Sequence, residues 1–169
     1  MVKILETERL ILRCWGKSDA PRLLEICRDP EVMKHIGDGR PYKTSEEVED
    51  FLIWAEKHQA ENGFCRWAVM EKTGGEIAGS CGFERLPETG EIELGYLFDR
   101  KFWGRGFATE AARGCLRHGF SDLGFREIIA LTDPDHTASQ NVLIKTGFTK
   151  RGLEIYDNLI TLVYSAKNI

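Results

Sequence analysis

At 169 residues the chain has the length of one domain with a core large enough to fold unaided. Its 42% hydrophobic and 30% charged residues exclude a disordered or low-complexity chain, and a formal charge of -4 argues against a surface built to coat nucleic acid. The five cysteines are odd in number and contain no Cys-x-x-Cys pair, so they read as reduced core residues. Acidic residues interrupt the opening stretch where a signal peptide needs an apolar run, and no apolar segment is long enough to span a membrane. One domain over 1–169, located in the cytoplasm and not bound to a membrane, is the expectation.

Glu8 to Trp15 is apolar and β-prone and reads as the first strand, with Leu10, Leu12 and Cys14 on one face. Ser18-Asp19-Ala20-Pro21 then starts a helix with Ser18 as N-cap, and Asp29-Pro30 ends it. A short helical turn, 31–36, leads into the loop Gly37 to Pro41. Thr44-Ser45-Glu46-Glu47 fits a capping box, and its helix runs to Asn62-Gly63. Phe64 to Glu71 and Glu76 to Arg85 read as strands joined by Lys72-Thr73-Gly74-Gly75.

Glu91 to Phe98 is the next strand, alternating Ile92, Leu94, Tyr96 and Phe98 against Glu91, Glu93, Gly95 and Leu97. After Gly104 a helix is expected from Arg105 onward, with apolar residues from Ala108 to Phe120 recurring at helical spacing. A helix N-terminus thus sits on a glycine turn. Unpaired N–H groups and the macrodipole favour an anion there, so phosphate is one reading and a plain tight turn the other. Gly104, Gly106 and Ala108 leave room for a pyrophosphate, and Arg105 adds a positive charge. Thr109 stands where a dinucleotide fingerprint needs its third glycine, and no Gly-Lys-Ser/Thr occurs. Arg126 to Thr132 is another strand, Thr137-Ala138-Ser139-Gln140 a second capping-box pattern closing at Gly147, and Asp157-Asn158 joins strands Phe148 to Tyr156 and Leu159 to Lys167. The order predicts an α/β (α+β) domain with one mixed, largely antiparallel central sheet of about seven strands and about four helices.

Four stretches in order resemble the GNAT superfamily of acyl-CoA-dependent N-acyltransferases, and most closely its ribosomal-protein N-terminal acetyltransferase type. They are Thr7 to Arg13, Glu93-Leu94-Gly95-Tyr96, Trp103 to Ala111, and Ala138 to Leu143 with Gly147-Phe148. The family's pyrophosphate loop, Gln/Arg-x-x-Gly-x-Gly/Ala, lands on Trp103, Gly106 and Ala108, with Trp103 departing from its first position. The resemblance implies a fourth strand splayed from the fifth, with the pantetheine arm of acetyl-CoA on main chain near Leu97, Phe98 and Asp99. It also implies pyrophosphate on the amides of Gly104, Arg105, Gly106, Phe107, Ala108 and Thr109.

An ammonium has no lone pair, so acetyl transfer to a primary amine needs a base. The resemblance favours Glu93, with Glu91 two residues earlier able to raise its proton affinity or to relay instead; an exposed carboxylate is the bland alternative. It assigns proton delivery to the leaving sulfur to Ser139, which otherwise is an early helical residue bonding local backbone. Leu143 occupies the position where many members carry an acid tyrosine, and His136 replaces a usual cofactor-binding Asn; as a lone histidine beside Thr137 it reads as a loop residue rather than a general base. Tyr156, Tyr164, Trp15, Trp54 and Trp67 read as packing residues, and the histidines and cysteines have no metal-ligand spacing. Direct attack in a ternary complex needs no acyl-enzyme, although Cys81 and Cys115 remain nucleophile candidates. The resemblance implies a peptide or protein N-terminus or a small amine as the acceptor, and a monomer or homodimer is the expectation. An acyl-CoA sensor without chemistry and a nucleotide-binding protein are the rivals.

Overall fold

The computed structural model describes residues 2–168. Eight strands form one sheet: β1 (Lys3–Glu6), β2 (Leu10–Arg13), β3 (Arg66–Glu71), β4 (Ile77–Arg85), β5 (Ile92–Phe98), β6 (Glu127–Thr132), β7 (Thr149–Tyr156) and β8 (Leu159–Lys167). Helices α1 (Ala20–Cys27), α2 (Pro30–Met33) and α3 (Ser45–Asn62) precede β3, α4 (Phe107–Ser121) joins β5 to β6, and α5 (Thr137–Lys145) joins β6 to β7. The sheet order is β1-β2-β3-β4-β5-β6-β8-β7, antiparallel throughout except between β5 and β6. The mixed sheet flanked by helices is the one expected, with one strand more.

That extra strand is β1, whose four residues are too few to show an alternation. It turns back on β2 at Thr7, whose N–H donates to Leu10 O at 2.9 Å. What anchors the turn lies a hundred residues away. Glu110, in the first turn of α4, accepts from Thr7 Oγ1 at 2.6 Å, from Arg9 N–H at 2.8 Å and from Arg9 Nε at 2.7 Å.

Local signals set most element ends, with three shifts. Before α1, a 3₁₀ turn over Lys17–Asp19 intervenes, and Ser18 is not the cap. Asp19 holds the N-cap position without capping α1 by its side chain; its carboxylate instead accepts from Gly16 N–H at 2.7 Å, across the 3₁₀ turn, and from Arg13 at 2.7 and 3.0 Å. Helix α4 starts at Phe107 rather than at Arg105, because Gly106 has φ 79°, outside helical space. The capping box expected at α5 does not form: Gln140 donates its side-chain amide to Pro134 O at 2.8 Å instead, and His136 is the N-cap. At α3 the expected box forms around Thr44 and Glu47, with Glu47 Oε2 accepting from Thr44 N–H at 3.0 Å. Asp157 and Asn158, at φ 48° and 61°, close β7–β8 in the left-handed turn that suits a twisted hairpin.

Two cores result. Helix α4 lays Phe107, Ala111, Ala112 and Cys115 on Leu10, Leu12, Trp67 and Phe83. Helices α1 to α3 bury Leu23, Ile26, Val32 and Val48 against Ile77. The sheet between them positions the site.

Candidate active site

The parallel strands β5 and β6 pair at a single register position, Glu93 with Ile129, although β5 continues to Phe98. Beyond that pair they diverge, and a slot opens toward the N-terminus of α4. The direction of the main-chain groups along the slot follows from the other side of β5. Asp99 N–H donates to Ala78 O at 2.9 Å, and in an antiparallel ladder bonding alternates by residue, so Leu97 turns its main chain, and Asp99 its N–H, to β4. Tyr96 and Phe98 turn theirs to the slot. Phe98 O is held by Trp103 Nε1 at 2.7 Å, which leaves Phe98 N–H free. Of the three residues expected to hold a pantetheine arm, then, Phe98 presents main chain to the slot, Leu97 turns its own to β4, and Asp99 gives its N–H to Ala78 O and its carbonyl to Phe102 N–H. The Asp99 side chain is paired with Arg22.

At the mouth of the slot, Gly104 and Gly106 adopt φ 73° and 79°, conformations that favour glycine. None of the amides from Gly104 to Thr109 donates to an acceptor among the described residues, and the first bond of the turn is Glu110 N–H to Gly106 O at 3.0 Å. These donors and the open space at Gly104 fit a pyrophosphate. The Arg105 guanidinium is less available than expected. It pairs with Glu71 on β3 and lies 4.6 Å from the centre of the Phe107 ring.

Inside the slot a cavity of about 530 Å³ is lined by Arg66, Glu84, Glu93, Tyr96, His136 and Ser139, among others. Glu93 is 7% exposed and accepts from Arg66 Nη2 at 2.6 Å; Glu84, opposite it on β4, lies 3.0 Å from the same nitrogen. Burial pushes the Glu93 carboxyl up, Arg66 pulls it back, and the Glu84 charge pushes it up again, leaving it above the ordinary carboxylate value. The residue beside Glu93 is therefore Glu84, not Glu91. Glu91 instead accepts from Arg151 at 2.8 Å and from the Tyr156 hydroxyl at 2.8 Å. Burial would raise its carboxyl, but these bonds outweigh it and hold it below the usual value. Gly95 is needed for this arrangement, since a Cβ there would lie 2.6 Å from the Arg66 guanidinium carbon.

Ser139 stands in the first turn of α5, where its Oγ lies 2.9 Å from the Tyr96 hydroxyl, which also reaches Ser139 O at 3.2 Å. Burial drives the Tyr96 phenol up, so it keeps its proton. Sequence reasoning placed Tyr96 on an apolar strand face and missed this pair, which is 43 residues apart. Arg66 and Glu84 were missed too, as unremarkable charges at strand ends. Leu143 is buried in the core, and Tyr164 is buried with its hydroxyl 3.5 Å from Gln140.

His136 is not a lone loop residue. Its ring stacks on His35 with centroids 4.2 Å apart, and His35 Nδ1 lies 2.9 Å from Asp133. Burial, and next the His35 charge, lower the His136 value below 6.5. A folded value below the unfolded one means that the unfolded chain binds the extra proton. Stability is complete above about pH 6.5 and is expected to fall as pH drops below it. Replacing His136 by Gln should flatten that part of a stability–pH curve, and an unchanged slope would refute the assignment.

Cys81 and Cys115 are buried with sulfurs 3.6 Å apart, and burial raises Cys115 well above its usual value, so neither has the setting of a nucleophile. Among the described residues no group of three or more His, Cys, Asp or Glu is placed to hold a metal, and no helix is long and apolar enough to cross a membrane.

A family model described as the acetyltransferase (GNAT) domain matches residues 9–149. The chain belongs to this family. The uncharacterized N-acetyltransferase p20 of Bacillus licheniformis is 33% identical over 90% of this chain and 85% of its own. A crystal structure of an acetyltransferase from Agrobacterium tumefaciens str. C58 superposes with a TM-score of 0.86 at 26% identity, covering 99% of this chain and 95% of that one. RimL, a ribosomal L7/L12 alpha-N-protein acetyltransferase in complex with coenzyme A, matches with a TM-score of 0.83 at 18% identity, over 98% of this chain and 97% of that one. That likeness shows the fold alone. Membership in the GNAT family supports acyltransferase activity on an amine with acetyl-CoA as donor.

Proposed function

We propose that the protein is an N-acetyltransferase of one domain that moves acetyl from acetyl-CoA to a primary amine by direct attack in a ternary complex. The observation that carries this reading is the slot between β5 and β6, which joins a row of unpaired amides at 104–109 to a buried, proton-avid carboxylate at Glu93. Phe98 N–H aligns the pantetheine arm, and the α4 N-terminus receives the pyrophosphate. Glu93 takes a proton from the ammonium, directly or through water, and passes it to solvent. The freed nitrogen lone pair attacks the thioester carbonyl, and the C–S bond breaks. The Tyr96–Ser139 hydroxyl pair, whose phenol is protonated at rest, gives a proton to the departing sulfur, and the second proton that the nitrogen sheds as the amide forms replaces it, so the pair ends as it began. No metal takes part.

The acceptor enters between the loop at 34–39 and the tip of β7–β8, both of which line the cavity. A peptide or protein N-terminus, as in the ribosomal-protein type, and a small amine both fit there. The working location is the cytoplasm, as a monomer or homodimer. A second reading, an acyl-CoA sensor without turnover, draws on the Arg66 bond that ties Glu93.

Thermal unfolding with acetyl-CoA, coenzyme A and ATP separates these readings from a nucleotide-binding one, because a ligand of the native state raises the midpoint. A rise with acetyl-CoA and coenzyme A but not with ATP is expected. At about a hundred times Kd the stabilisation is about 2.7 kcal/mol. Thiol release across a panel of amines then distinguishes enzyme from sensor. No shift with acetyl-CoA would end the reading.

A further inference from the structure

Arg9 stands on the outer side of the glycine turn, and three of its groups are committed there. Its Nε and its main-chain N–H both bond Glu110, and its Nη1 donates to Arg105 O at 2.9 Å. The guanidinium also lies 4.8 Å from the centre of the Phe107 ring, and a Cβ at Gly106 would come within 3.5 Å of its Nη2. Thus one side chain from the β1–β2 turn touches Arg105, Gly106, Phe107 and Glu110, which bracket the start of α4.

The bond to Arg105 O has a consequence for the opposite side of the same peptide. In a planar trans peptide, C=O and the next N–H point in opposite directions. Holding the carbonyl of Arg105 against Arg9 therefore turns Gly106 N–H away from Arg9, and it keeps a carbonyl dipole from facing an anion. The turn has two glycines at positive φ, which are free to flip when nothing holds them.

We propose that Arg9 is a positioning residue for the phosphate seat: with Glu110 as its anchor, it fixes the peptide between Arg105 and Gly106 so that the 104–109 amides receive the pyrophosphate of coenzyme A. The inference rests on the coenzyme A reading above and adds a residue from a distant turn to it. Arg9 lies outside the catalytic cavity, so its effect falls on cofactor affinity and not on proton transfer.

The test compares coenzyme A with S-acetylpantetheine, which carries the thioester arm but no pyrophosphate. Arg9→Gln is expected to weaken coenzyme A binding, measured by calorimetric titration, by about tenfold or more, the scale of one hydrogen bond to a charged group. Affinity for S-acetylpantetheine should not change. Arg9→Lys, which keeps the charge but cannot fork to Glu110 and Arg105 O together, should fall between, and it carries the test if Arg9→Gln does not fold. Equal losses for both ligands would make Arg9 a general structural residue and overturn the proposal, as would undiminished coenzyme A affinity in both variants. A wild-type protein that binds S-acetylpantetheine but not coenzyme A overturns it as well. Binding of neither ligand by the wild type overturns the coenzyme A reading together with it.

Discussion

Glu93→Gln is expected to lower turnover of an amine about a hundredfold while leaving coenzyme A affinity unchanged. Glutamine has nearly the same shape and can still accept the bond from Arg66 Nη2, so the cavity stays as it is. What it cannot do is take a proton. In the native enzyme the carboxyl is buried and flanked by Glu84, and these effects outweigh the pull of Arg66, so its value is raised. The rate should therefore rise with pH along an acid limb whose midpoint lies above the ordinary glutamate value of 4.5. In the variant this limb disappears. Its deficit should also narrow at high pH, where free amine is abundant without a base. A Glu93→Gln enzyme with undiminished kcat and the same pH profile would place the base elsewhere in the cavity.

The largest effect on stability is expected at Arg13. Its side chain is 9% exposed and that of its partner Asp19 is 8% exposed, with N–O contacts at 2.7 and 3.0 Å. Arg13→Ala leaves the Asp19 carboxylate buried with only Gly16 N–H to bond, a change that typically costs about 3 to 5 kcal/mol. Urea unfolding should show that loss, with the m-value retained. Replacing both partners by apolar residues should cost less, because no charge is then stranded. The pH dependence has a definite sign. Burial pushes the Asp19 carboxyl up, but the bonds from Arg13 and Gly16 outweigh it, so the folded value lies below 3.8. The pair's contribution is full above the unfolded value and is lost as pH falls through the folded one. A loss below about 1 kcal/mol, the range of an exposed pair, would mean that the site is not shielded from water.

How early each feature became legible depends on how far apart its parts lie. The glycine pair before α4, the stop at Gly63 and the Asp157-Asn158 hairpin were readable because backbone dihedral demand is a property of one or two residues. The sheet class followed from periodicity, and so did the face that α4 buries. Ser18 and the Thr137 pattern misled for the same reason that they were readable: a local capping signal yields when another partner outside the pattern offers a better bond, as Arg13 does for Asp19 and Pro134 O for Gln140.

By itself, then, the chain's order of residues determined the mixed sheet, the helix that begins on a glycine turn, and the resemblance that ties this turn to an acyl-CoA cosubstrate. Only the tertiary structure decided which charges meet. Glu93 faces Glu84 and Arg66 because β3, β4 and β5 are adjacent in the sheet. Tyr96 meets Ser139, and His35 meets His136 and Asp133, because loops and helix starts converge on the open end of the slot. Arg9 reaches Arg105 and Glu110 because the β1–β2 turn packs under α4. The physical reason is that periodicity and dihedral preference act within a few residues of chain. Burial, charge pairing and proton affinity are set through space by side chains that only the packed sheet brings together.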